Sequence, residues 1–519
     1  MTTFTSQPSI CRASLMAVLI SATTLRPQIN SPSTLHAEPI KKSTTDGIDY
    51  SLDRLAFEVT KSLSDRPALV IWLFDESGSV SLRREGIIRK LEQLWPAIKR
   101  PHPLYSSIVG LGKDIHFLTP QPVEDFPSLK QAADQLKKDD SGVESTFGAI
   151  IASLDRWKDF PDIDTHIDVS LVIVTDEVGD DQQRLEDAIT VCNDKNVRVF
   201  CLGNAAPFGQ SRGRSVFVYP DGFKELIPVD QGPEVAIPDA LRLPIWPPAD
   251  PDPLKQVSSG FGPWALSRLC TETGGQFFIV EDTGSPTFPR AAMADYAPSY
   301  EPLAALRKAA EASQLRQTLS ECASRIESRL TSNPRFTFRA DRAETVRGEI
   351  HSVQRQATIL SDLTATSADA LKKCIEEREA TTDKRLQAAF DLAYGRALLQ
   401  SARATELNLA LAGMKIDPLQ FTKDSSNTWT LHAAPAAEPA RQNSDTVSRA
   451  TVYLKLVVAR HPDTPFAYIA QAELDRGTGW KWEESRRVYN DPPAKVVRPL
   501  LIQPKELKRR PVKRARPGL

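Results

Sequence analysis

The stretch Ala68–Val80, ALVIWLFDESGSV, decides the fold. Seven apolar residues, Ala68 to Phe74, run unbroken and end at Asp75-Glu76-Ser77-Gly78-Ser79. A short continuous run rich in Val, Ile and aromatic residues predicts a strand buried on both faces, as in a parallel sheet. At its carboxyl end one carboxylate and two hydroxyls stand at alternate positions, and open α/β sheets bind ligands just outside the carboxyl ends of their strands. Asp75, Ser77 and Ser79 are hard oxygen donors, suited to Mg²⁺ or a similar divalent cation rather than zinc or copper.

Working outward, the same alternation repeats. Ile48 to Leu63 has helical spacing, Arg83 to Leu94 is an amphipathic helix stopped at Pro96, and short strands are predicted at Ser106–Leu111 and Ile115–Leu118. Helices are expected at Leu129–Leu136 and Thr146–Trp157, and a largely apolar strand at Ile167–Thr175. Gly179-Asp180-Asp181 is expected to open a helix to about Cys192, its acids lying in the first turn where the helix dipole favours them. Val197–Gly203 is the next strand, Phe261–Thr273 a helix capped by Gly274-Gly275, and Gln276–Val280 a last strand. This order predicts a doubly wound, mostly parallel α/β sheet.

Two later positions complete a pattern with the D-x-S-x-S of Asp75, Ser77 and Ser79: Thr146 in SGVESTFGAI, at the head of a helix, and Asp176, closing SLVIVTDE. Together they resemble the metal-ion-dependent adhesion site of the von Willebrand factor type A family, a Rossmann-like fold. The resemblance covers about Ile48 to Asp282, and LSRLCTETGGQFF is similar to the way many members finish. It implies that Ser77 and Ser79 hold Mg²⁺ (or Mn²⁺ or Ca²⁺) through their hydroxyls and that Thr146 is a third, switchable ligand. Asp75 and Asp176 would act mostly through bound water. A divalent ion with few anionic ligands stays electrophilic, so the implied partner is a protein that supplies an Asp or Glu to the metal. The alternative is a metal-free domain in which these oxygens cap helices and bond one another. Glu177, Asp180 and Asp181 are read as helix N-terminal acids rather than a second cation site.

Residues 205–259 interrupt the common pattern. VFVYPDGFKELIPV, with Pro220-Asp221-Gly222 between two apolar-patterned runs, predicts a hairpin, and the Pro-rich LPIWPPADPDP follows. Leaving from the carboxyl end of a strand, this insertion should overhang the metal face. Beyond Pro302 the character turns helical: Leu306–Leu330, Ala343–Leu360 and Ala368–Met414, with breaks near Asn333-Pro334 and Thr364–Ser367, predict an all-α region over 302–415. A helix pair joined by HPDTP falls within 445–490, without a fixed repeat period, and Trp480 and Trp482 are expected to pack on it. RLQAAFDLAYGRALLQ, SNTWTL, HPDTPFAYIAQAEL and GWKW make the whole chain resemble exported planctomycete proteins built on the same type A domain.

The 519-residue chain has an ordinary globular composition, 25% charged and 41% hydrophobic. From Lys495 to Leu519 there are nine Lys or Arg and one Glu, a net +8 that leaves −9 on the rest of a chain of formal charge −1. The tail, within 491–519, is expected to be disordered and to bind, if anything, an anionic envelope polymer or lipid through charge; nucleic acid fits less well with export. Residues 1–37 have the layout of a secretory signal and leader: Arg12, an apolar Ala13–Ala22, then Ser/Thr/Pro, with no acid before Glu38. The expected location is therefore periplasmic or extracellular. Cys192, Cys201, Cys270, Cys322 and Cys374 lack C-x-x-C spacing and read as buried apolar residues, though Cys192 and Cys201 could pair in an oxidising compartment.

Enzyme classes find little purchase. Gly209-Gln210-Ser211-Arg212-Gly213 matches the G-x-S-x-G nucleophile elbow, but that motif requires an immediate strand–turn–helix, and here a strand is expected to follow. An aspartyl-phosphate phosphatase would want an Asp where Ser77 stands, and no phosphate-binding G-x-x-x-x-G-K-[ST] loop occurs. The expectation is a non-catalytic, exported protein-binding module, with the helical region as the alternative recognition surface.

Overall fold

The computed structural model describes residues 45–160, 167–219, 221–244, 246, 256–284, 286–330, 334–341, 343–434 and 443–489. The expected signal and leader, most of the Pro-rich stretch and the basic tail lie outside the described residues.

The α/β half runs α1 (Gly47–Leu63), β1 (Ala68–Asp75), α2 (Ser81–Leu94), β2 (Leu104–Leu111), β3 (Ile115–Phe117), α3 (Phe126–Ala133), α4 (Thr146–Arg156), β4 (Asp168–Val174), α5 (Leu185–Asp194), β5 (Arg198–Asn204), β6 (Arg212–Val218), β7 (Lys224–Asp230), α6 (Trp264–Glu272) and β8 (Gln276–Glu281). Six strands form one sheet in the order β3-β2-β1-β4-β5-β8, parallel except for the edge strand β3. β1 lies at its centre, with Ala68 opposite both Leu104 and Asp168. The period-2 pleat sends Leu69, Ile71 and Leu73 into one apolar cluster and Val70, Trp72 and Phe74 into another. Both faces are covered by helices, which is why the run carries no polar alternation.

Local chemistry sets the boundaries. α3 starts three residues before the expected Leu129 because Asp125 caps it, accepting the Ser128 N–H at 2.8 Å. α5 begins at Leu185, later than expected; Gly179 adopts φ +88°, and Asp180 and Asp181 stand outside the helix. The inserted segment forms the expected hairpin as a two-stranded antiparallel sheet, β6–β7, Val216 opposite Leu226.

After a short turn, α7 (Arg290–Met293), come α8 (Leu303–Glu311), α9 (Gln314–Arg329), β9 (Thr337–Arg339), α10 (Ala343–Lys372), α11 (Ile375–Ala380), α12 (Lys384–Ile416), β10 (Thr428–Ala434), α13 (Ser444–Arg460), α14 (Pro465–Asp475) and β11 (Gly479–Ser485). The region is helical as expected, with four differences, the first being that Ala368–Met414 is divided among α10, α11 and α12. Leu306–Leu330 divides at Ser313, whose hydroxyl caps α9 by accepting the Arg316 N–H at 3.1 Å. The break expected near Thr364–Ser367 is absent: both hydroxyls turn back onto carbonyls four residues earlier, Thr364 to Leu360 and Ser367 to Leu363, each at 2.7 Å, and α10 continues. Finally, β9, β10 and β11 add a three-stranded antiparallel sheet in the order β11-β10-β9. Trp480 and Trp482 belong to this sheet, meet Phe336 and Phe338 at ring distances of 5.4 and 5.2 Å, and pack against the core to which the helix pair contributes.

One apolar core joins the insertion to the helices: Phe208, Leu241, Leu243, Trp246 and Val257 share a cluster with residues of α9, α10, α12 and α14. Two arginines of α12 anchor that contact. Arg385 binds Asp239 at 2.7 Å and Glu234 at 3.1 Å, and Arg396 donates to the carbonyls of Leu241 and Leu243.

Candidate metal centre

The carboxyl ends of β1 and β4 lie side by side, because Phe74 pairs with Val174. This register brings Asp75 and Asp176, distant in sequence, to one end of the sheet. Asp75 is saturated by its surroundings: the Ser77 N–H donates to Oδ1 at 2.7 Å and the Thr175 hydroxyl to Oδ2 at 2.9 Å. From there a chain of oxygens continues, Ser77 Oγ to Ser79 Oγ at 3.0 Å and Ser79 Oγ donating to Asp176 Oδ1 at 3.1 Å. Four of the five expected residues are thus in one hydrogen-bonded array.

Thr146, the fifth, opens α4 and is held against the loop that carries Asp176. A Cβ on Gly179 would stand 2.6 Å from Thr146 Oγ1, so only glycine allows this approach, and its φ of +88° demands glycine as well. Asp181 accepts the N–H groups of Phe147 at 3.1 Å and Gly148 at 2.6 Å, and Asp180 Oδ2 accepts that of Glu144 at 2.9 Å. Asp181 therefore caps α4, across the site, and Asp180 holds the turn before it, so neither caps the helix that follows them in sequence.

Arginines brace the array from below. Arg83 donates to the Thr175 carbonyl at 2.7 Å, to Asn204 and to Glu281, tying together the ends of β4, β5 and β8. Arg84 donates to the carbonyls of Asp75 and Ser77, and burial lowers its pKa. Glu76 turns away from the array: its carboxylate accepts the Lys137 N–H and meets His116 Nδ1 at 2.6 Å.

Asp75, Ser77, Ser79, Thr146 and Asp176 are all buried. Burial, and then the charge of Asp75, pushes the Asp176 carboxyl up to about 6 against the opposing effect of Arg83. Burial, then Asp176 and Asp75, pushes Glu177 up to about 8. Glu144, which sequence reasoning passed over, is also raised, by burial first and then by Asp75, Glu177 and Asp176. Like charges crowded out of water must take protons or a cation.

Four oxygens in this neighbourhood are buried without a well-formed hydrogen bond: Thr146 Oγ1, Asp176 Oδ2, Glu144 Oε2 and the Ser215 Oγ beside Asp176. Native proteins leave few such groups unpaired, and an oxygen set of hydroxyls and carboxylates fits a hard divalent cation. Among the described residues no group of three or more His, Cys, Asp or Glu is arranged to hold a metal; the expected set draws three of its five donors from hydroxyls. The G-x-S-x-G stretch shows no such convergence. Ser211 is exposed and runs directly into β6 rather than into a helix. All five cysteines among the described residues are buried and free, Cys192 and Cys201 included.

No family model matches the chain, and no curated protein does. Solved structures give distant likenesses. An aerotolerance-related membrane protein from Bacteroides fragilis is 11% identical over 41% of this chain and 92% of its own, with a TM-score of 0.25. BatB from Bacteroides thetaiotaomicron is 10% identical over 50% and 99%, TM-score 0.26. The vWF domain of the type V pili tip protein Mfa5 from Porphyromonas gingivalis is 17% identical over 22% and 39%, TM-score 0.19. Likenesses of this size decide nothing, and the fold stands on its own sheet order and register.

Proposed function

We propose that the chain is a non-catalytic protein-binding module, exported from the cell, that captures a partner through a divalent cation at the ends of β1 and β4. The observation that carries this reading is the pair of unpartnered buried oxygens, Thr146 Oγ1 and Asp176 Oδ2, beside the hydrogen-bonded array of Asp75, Ser77 and Ser79. In this role Ser77, Ser79 and Thr146 would hold the ion through hydroxyls, and Asp75 and Asp176 would supply negative charge, in keeping with the resemblance to the type A family. The bound cation supplies an electrophilic point that an Asp or Glu of the partner protein recognises. Asp75 keeps its orientation through Ser77 and Thr175, so it holds charge at a fixed place. Arg83 and Arg84 hold the strand ends and the Asp75–Ser77 loop in register.

The test is capture of a partner from an extract of the native organism by the full chain, with Mg²⁺ or Mn²⁺ and then with chelator. Binding that chelator and Asp75→Ala both abolish supports the reading; capture indifferent to both overturns it. The full chain is needed because truncation before Pro302 would strip Phe208, Leu241, Leu243 and Trp246 of the helices they pack on.

A further inference from the structure

Glu144 is placed with unusual firmness for a residue in a connecting turn. Its N–H donates to Asp180 Oδ2 at 2.9 Å, and its carbonyl accepts the Asp180 N–H at 2.7 Å. This two-way clamp fixes the backbone two residues before Thr146. The side chain is 6% exposed, and with Asp75, Ser77, Asp139 and Glu177 it lines a small polar pocket at the strand ends.

The rest of the chain shows how it treats buried carboxylates. Asp391 is held by Arg378, Glu473 by Arg396 and Arg403, Glu234 by Arg385, and Glu76 by His116. Glu144 breaks that rule: among the described residues it has no ion pair, its side chain meets another acid, Asp75, and its Oε2 has no hydrogen-bond partner. Asp176 Oδ2, its neighbour, is likewise unpartnered. A buried carboxylate left without a donor is costly, and a cation in the pocket that Glu144 lines with Asp75 and Ser77 answers for it.

We propose that Glu144 is a further ligand of the cation, an acid supplied by the chain itself on the side of the pocket shared with Asp75 and Ser77. The inference rests on the cation site put forward above. It adds a consequence for regulation. With its own carboxylate on the ion the centre is satisfied and weakly electrophilic, so a partner acid gains the metal only by displacing Glu144. Partner capture is then gated by the turn that Asp180 clamps.

The experiment measures Mn²⁺ binding to the full chain by electron paramagnetic resonance, alongside thermal melting with chelator and with Mg²⁺. Asp75→Ala and the isosteric Glu144→Gln are compared with the native chain, and Glu144→Asp retains the charge one methylene shorter. The expected result is tenfold or greater weakening of Mn²⁺ affinity in Glu144→Gln and partial recovery in Glu144→Asp. Mn²⁺ affinity in Glu144→Gln equal to that of the native chain overturns Glu144 as a ligand and leaves the cation site standing. A native chain that binds no Mn²⁺ overturns the site itself. Equal weakening in Glu144→Gln and Glu144→Asp also overturns the proposal, since it would show that shape and not charge matters.

Discussion

Phe217 occupies the space that a side chain on Gly78 would need: a Cβ there would stand 2.6 Å from Phe217 Cε2. Gly78 lies between Ser77 and Ser79, and Phe217 belongs to the inserted hairpin, where it is buried. The insertion thus sits directly on the loop that carries two of the expected metal ligands. A second contact ties the hairpin to the loop after Asp176, the Val178 N–H donating to the Asp230 carbonyl at 3.0 Å.

This contact predicts energetic coupling between the hairpin and the metal loop. Gly78→Ala should destabilise the chain, because Phe217 or the loop must shift, and the cost should shrink when Phe217→Leu has already opened the space. Residues in contact commonly show interaction energies of about 0.5–3 kcal/mol in a double-mutant cycle. Denaturant unfolding of the two single variants and the pair measures it. Additive effects would show that the hairpin rests on the loop without supporting it.

Gly179 makes a different prediction, separable by a control. Gly179→Ala combines backbone strain at φ +88° with a clash on Thr146 Oγ1, whereas Gly274→Ala at φ +71° meets nothing within 4 Å. Both should lose stability, of the order of 1–3 kcal/mol for the strained backbone. Only Gly179→Ala should also weaken Mn²⁺ binding, because it pushes the Thr146 hydroxyl. Titration of the two variants decides this; equal affinities would detach Thr146 from the ion.

Much of this arrangement was legible from the chain because its signals are local. The apolar run of β1 and its abrupt end announce a central strand with donors at its carboxyl end, while Thr146 opens α4 and Asp176 lies just past the carboxyl end of β4. What was not legible depends on the packed surroundings or on elements too short to show a pattern. Acids beside Gly179 suggest a cap for the next helix, but the fold brings α4 closer, and Asp181 caps that instead. Thr and Ser at 364 and 367 suggest a break, yet in a packed helix their hydroxyls find carbonyls one turn back. β9 has three residues, too few for any alternation to show. Glu144 carries no signal in its own segment; its importance lies in an oxygen that tertiary packing leaves without a partner.

The crowded carboxylates give a pH dependence whose sign can be worked out. Asp176 titrates near 6 in the folded chain, above its ordinary value of 3.8, and Glu177 near 8, above 4.5. A group whose folded pKa is raised binds its proton more tightly when folded, so its stabilising contribution is complete below the unfolded pKa and lost as pH climbs through the folded one. The groups facing this pair are Asp75, Glu144 and Asp230, with Arg83 opposing them at Asp176. In chelator, melting temperature should therefore fall as pH rises from about 4 to about 8. Millimolar Mg²⁺ should cancel much of that loss, because a cation replaces the protons. A melting profile in chelator that rises across this window would contradict the picture of uncompensated charge.

The helical region offers the last prediction, at Glu473. Its carboxylate is fully buried and receives Arg396 at 2.8 Å, Arg403, and Gln400 at 3.1 Å. Burial alone would raise its pKa, but Arg403 and Arg396 outweigh it and hold the group below the ordinary value. Arg396 also carries the insertion, through the carbonyls of Leu241 and Leu243, so the acid organises a guanidinium that reaches across to the α/β half. Glu473→Gln removes the charge and leaves two buried arginines to share a neutral amide. Breaking a buried pair by removing one partner costs roughly 3–5 kcal/mol, and denaturant unfolding should show a loss of that size. Because Arg396 is loosened, protease cleavage within residues 205–259 should also accelerate. A variant that loses stability with no change in that cleavage would mean that the insertion is held by its apolar contacts, Leu241 and Trp246 among them, and not by the arginine.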